Sequence, residues 1–134
     1  ARGPEATLAA FPATGAFTVR LVQALTASSH GGRLLPLHLS LNVNYPLVPD
    51  GKRIPAVSYT LIGHQLPVQP GYVPLPGGGW RIVPRLSQEP ETVAHADTTA
   101  LAAHRISISV LDGSWSADRP ERDVVTKRLR SLAP

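Results

Sequence analysis

The chain lacks cysteine altogether, which excludes disulfides, thiolate metal centres and cysteine nucleophiles. That absence leaves the compartment open, because reducing and oxidising environments both tolerate cysteine-free chains. Large rings are scarce: two Phe, three Tyr and two Trp in 134 residues. A core must therefore come from Leu, Val, Ile and Ala, and a hydrophobic fraction of 43% supplies enough of them for one domain. No apolar run approaches the roughly 20 residues of a bilayer span, so no membrane is expected as a partner. The first residues, Ala1-Arg2-Gly3-Pro4-Glu5, hold neither an initiator Met nor an apolar signal segment, and read as an interior point of a longer protein.

What is abundant is proline, with 14, and glycine, with 11, and a long loop is expected to hold many of them. The net charge of +4 raises the question of nucleic acid, but the basic residues are scattered. Their one cluster, Lys127, Arg128 and Arg130, ends an expected helix, where cations suit the negative end of the dipole. A nucleic-acid polymer is not an expected partner.

Two stretches alternate apolar and small polar residues with period two, Leu39 to Pro46 and Ile106 to Asp112. Each predicts a strand with one oily and one polar face. The first extends over Leu37 to Tyr45 and carries Asn42 and Asn44 on its polar face. Amides so placed at a strand end can tie down a neighbouring loop, since Asn both donates and accepts. A second alternating run, Ala56 to Ile62, sets Val57, Tyr59 and Leu61 against Ser58 and Thr60, and Gly63 closes it.

Before these strands, Gly15 to Ala27 reads as a helix with Phe17, Leu21 and Leu25 on one face and Val22 beside them; Ser28 to Gly32 ends it. Pro46 to Lys52 is an expected turn. Gln65 to Gly79, with four prolines and a glycine triplet, is excluded as a central strand and reads as an extended arm or the tip of a long hairpin. Trp80 to Leu86 is the return strand. Asp97 is the expected N-cap of a short helical turn, and Asp112-Gly113-Ser114 is a turn. The last element is a helix from Arg119 to Ser131, capped by Asp118, with Val125, Leu129 and Leu132 as its buried stripe.

Candidate chemistry is thin. His64 beside Gly63 could donate a proton near neutrality, or simply sit on the surface at a strand end. His30, His38, His95 and His104 have no second ligand at metal spacing, so zinc is not expected. Ser107 and Ser109 lack a nucleophile elbow, and Gly77-Gly78-Gly79 lacks the Lys-Ser/Thr of a phosphate loop.

The ordered set of elements resembles the C-terminal half of the SurE family of phosphatases and nucleotidases. A helix like Phe17 to Leu25 precedes the Leu41-Asn42-Val43-Asn44-Tyr45-Pro46 strand, and Val57, Thr60 and Gly63 follow in a V-x-x-T-x-x-G pattern. The Asp97-Thr98-Thr99-Ala100-Leu101 turn, the Ile106 to Leu111 strand and the closing helix follow in the family's order. The chain departs from the family at His104-Arg105, where Gly-aromatic is usual, and at Ser107 to Leu111, where Ser-x-Thr-Pro-Leu is usual.

The resemblance implies an α/β fold, residues 1–134 forming the C-terminal portion of a three-layer Rossmann-like domain. The Pro/Gly-rich arm spans about 65–86 and the closing helix about 119–132. It implies hydrolysis of phosphomonoesters, nucleoside monophosphates among them, with a divalent cation, Mg²⁺ or Mn²⁺, in the intact protein. It also implies a homo-oligomer, dimer or tetramer. The family's adjacent aspartates have no counterpart, because no two aspartates here are adjacent or one residue apart. No catalytic or metal residue is therefore carried over, and this chain alone is expected to be inactive and to bind no metal. Asn42, Asn44 and His64 are the candidates for an active-site rim. The alternative is a non-catalytic oligomerisation or binding module built on the same scaffold.

Overall fold

A computed structural model describes residues 4–47, 56–65, 68–87 and 89–132, the side chains of 4–7, 9 and 10 excepted. Within these residues the chain is mixed α/β, with three α-helices and two sheets. Helix α1 spans Pro4–Ser29, strand β1 Ser40–Asn44 and strand β2 Val57–Thr60. Strands β3 (Val68–Pro74) and β4 (Trp80–Leu86) form the arm. Helix α2 (Asp97–Ala102), strand β5 (Ile106–Leu111), helix α3 (Arg119–Arg128) and a 3-10 turn (Arg130–Leu132) complete the order.

The main sheet runs β1-β5-β2, with β5 antiparallel to β1 and parallel to β2. Residues 106–110 are all buried, as a central strand covered on both faces requires. Its period-two pattern sends Ile106, Ile108 and Val110 to one face, where they pack with Phe17, Leu21 and Leu25 of α1 and Val125, Leu129 and Leu132. Tyr59 joins this face: its hydroxyl donates to the Leu129 carbonyl at 2.9 Å, and burial raises its pKa. The opposite face carries Ser107 and Ser109, both fully buried, beside Asn42, Asn44 and Thr60.

Four expectations are corrected in detail. Helix α1 begins well before Gly15 and runs through Pro12, which removes one intrahelical donor without ending the helix. Val22 is exposed, and Ala24 takes its place in the core. The first strand starts at Ser40 rather than Leu37. The second stops at Thr60, after which Leu61 makes a single parallel bridge to Ala96.

The closing helix is confirmed in its cap, the Asp118 carboxylate accepting the Glu121 N–H at 3.2 Å, and in its buried stripe. Its last turn is 3-10. Arg128, from the basic cluster, donates to the carbonyls of Arg33 and Leu34. Most of the expected 46–52 turn lies outside the described residues.

The segment after Gln65 proves to be a hairpin. Register pairs Val68 with Leu86, Pro70 with Pro84, Tyr72 with Ile82 and Pro74 with Trp80. Directly opposed residues share a face, so these eight apolar side chains form one surface. All eight are exposed.

Candidate functional site

The polar face of the sheet converges on Asp97. Strand alternation puts Asn42 and Asn44 two residues apart on that face, and both side-chain amides donate to Asp97 Oδ2, at 3.2 and 3.3 Å. The other oxygen, Oδ1, accepts the backbone N–H groups of Gly63 and Thr98, each at 2.8 Å. Asn44 also donates to Ser107 Oγ at 3.0 Å, and Thr60 and Ser109 share a hydroxyl hydrogen bond at 2.8 Å. Asp97 is only 8% exposed. It opens α2 as the first helical residue; Ala96 occupies the N-cap position, so the expected capping role is corrected.

A second carboxylate, Glu91, extends this network. It accepts the N–H groups of His64, Gln65, Thr92 and Val93, and the Thr98 hydroxyl at 2.8 Å. These bonds, that from Val93 foremost, lower its pKa to about 2. The two carboxylates thus clamp the 63–65 backbone from one side while Thr98 joins them. Gly63 is required by this approach: a Cβ there would stand 2.6 Å from Thr98 Oγ1 and collide with the Glu91 carboxylate.

The sequence candidates divide. Asn42 and Asn44 sit in the node, whereas His64 is exposed, held by its backbone N–H with its ring outside the network. Sequence reasoning gave Asp97 a different role and missed Glu91. The signal for Asp97 lay in its position within the acidic-threonine turn; Glu91 has none, since a lone loop glutamate has no periodicity.

A divalent cation of the kind the SurE resemblance implies does not fit here. Among the described residues no three His, Asp or Glu side chains are grouped to hold one. The roughly four lone-pair sites of a carboxylate are taken up at Asp97 by four N–H donors. Five donors do the same at Glu91. What the arrangement can do is position: it fixes the end of β1, the loop after β2 and the start of α2 as one rigid unit.

Beside this unit lies a cleft of about 740 Å³, lined by Leu61, Ile62, Gly63, His64, Val93, Trp115 and Ser116.

Comparison with models of protein families, with curated proteins and with solved structures finds no match to the chain.

Proposed function

We propose that this chain is the C-terminal portion of a SurE-like, divalent-metal-dependent phosphomonoesterase acting on nucleoside monophosphates or related esters. The carrying observation is the convergence on Asp97. Asn42 and Asn44, Gly63, the Asp97-Thr98 turn and Ser107 come from the separate stretches on which the resemblance rests, and they are joined in one hydrogen-bonded node.

In this reading the node is the rigid floor of an active-site rim. The amide oxygens of Asn42 and Asn44 make no hydrogen bond among the described residues, which leaves them free as acceptors. The cation ligands belong to residues outside this chain, and no step of the reaction is assigned to its side chains. The three-layer Rossmann-like architecture is part of the same proposal.

The arm supports an oligomer. A two-stranded hairpin is at best marginally stable alone, and this one exposes an entire apolar face. A surface of that kind is a site for another subunit. The same observation favours the second reading, a non-catalytic assembly module.

The test compares hydrolysis of p-nitrophenyl phosphate, with Mn²⁺ added, by this chain and by the product of the encoding frame extended upstream to adjacent aspartates. The expected result is turnover by the extended protein only. Metal-dependent turnover by this chain alone would overturn the fragment reading. An extended protein that lacks both the aspartates and the activity would leave the assembly module.

A further inference from the structure

The cleft beside the node has features the proposed chemistry does not use. Its walls are apolar, from Leu61, Ile62 and Val93, and its rim carries two flat rings, His64 and Trp115. Neither ring makes a hydrogen bond among the described residues. Its volume, about 740 Å³, falls within the range of about 300–1,000 Å³ typical of small-ligand sites.

Trp115 is the residue hardest to explain as scaffold. It is 76% exposed, so its ring contributes little to any core. Its φ of 149° lies in a region that side chains other than glycine rarely occupy. The surroundings hold it there. Ser116 Oγ accepts the Ile62 N–H at 3.0 Å, and the Ala117 N–H donates to the Val110 carbonyl at 2.8 Å. On the other side of Gly63 from Ile62 in sequence, Glu91 binds the backbone of His64 and Gln65. The backbone carrying both rings is therefore tied down before any ligand arrives, which lowers the cost of ordering it on binding.

We propose that this cleft binds the planar aromatic group of a ligand, stacked on Trp115. Resting on the phosphomonoesterase reading, that group is the base of a nucleoside monophosphate or the aryl ring of an aromatic ester. A flat, exposed indole stacks on any π-face, and a partly apolar wall excludes water from the ring's edge. The free imidazole of His64 offers a hydrogen-bonding edge at the same rim.

The test is equilibrium binding of adenosine, and in a parallel arm of phenol, to the 134-residue chain carrying Trp80→Phe, so that Trp115 alone reports by fluorescence. Saturable quenching by adenosine is expected, and quenching by phenol alone would assign the site to aryl esters. Saturation-transfer NMR on the same ligands provides a non-optical readout. Trp115→Ala is expected to weaken binding by about tenfold or more, and Trp115→Phe to restore part of it. Trp115→Gly relieves the positive φ, and is expected to raise the melting temperature while weakening binding as the Ala variant does. No saturable binding of either ligand, or binding by the Ala and Gly variants as tight as with Trp115 in place, overturns the proposal. The titration contains no metal and reads no hydrolysis, so its failure leaves the phosphatase reading standing. Failure of the hydrolysis test likewise leaves ring binding standing.

Discussion

Asp97 is a buried carboxylate whose four hydrogen bonds all come from N–H groups. Removing it takes the acceptor from two side-chain amides and two backbone N–H groups together. Asp97→Ala is expected to destabilise the chain by about 3 kcal/mol, read as a lower urea midpoint. Asp97→Asn has almost the same shape, yet it turns an NH₂ toward existing donors, so it too is expected to lower the midpoint. A neutral effect of Asn would mean the node is held by shape alone.

Glu91 predicts a pH dependence. Its pKa falls from 4.5 to about 2 on folding. The stabilisation is therefore present above about pH 4.5 and is lost as the pH falls through 2, where the folded-state group protonates. Glu91→Gln is expected to flatten the acid limb of stability against pH over that window. An unchanged acid limb would dissociate the carboxylate from the loop's stability.

Four histidines, His30, His38, His95 and His104, hold φ between 50° and 68°. His104, at a φ of 54°, holds a left-handed conformation that glycine adopts at less cost. His104→Gly is expected to stabilise by about 0.5–1 kcal/mol, measured by thermal unfolding.

At the scale of elements, the arm is the part that leaves an apolar face exposed along its whole length. Its apolar face comes from period-two alternation in both strands, Val68-Pro70-Tyr72-Pro74 and Trp80-Ile82-Pro84-Leu86. The prolines made this segment look like a loop, because each removes a ladder donor. They are tolerated in a two-stranded ribbon, where each strand has one edge that pairs with nothing. Trp80→Glu with Ile82→Glu changes two exposed side chains and leaves the main sheet untouched. The expected outcome is conversion of a dimer or larger species to monomer in sedimentation, as with deletion of Pro67 to Gly79. An oligomer that survives both changes would remove the arm from the interface.

At the scale of the whole molecule, the sheet has its oily face against α1 and α3 and its polar face gathered on Asp97. The oily face holds the chain together; the polar face and the adjoining cleft are where chemistry could be assembled.

Local sequence was enough to specify what depends on nearest neighbours along the chain. Alternation set the strand at Ile106–Leu111 and the orientation of Asn42 and Asn44, and the Asp118 cap and Val125-Leu129-Leu132 spacing set the closing helix. Such patterns follow from side-chain direction, which is fixed every two or 3.6 residues. Only the tertiary structure decided that Asp97 would be a hub rather than a cap, that Glu91 would clamp a loop, and that Trp115 would line a cleft with His64. Each of those depends on groups brought together from distant positions, such as Asn42 with Asp97, and no local period encodes a partner that far along the chain.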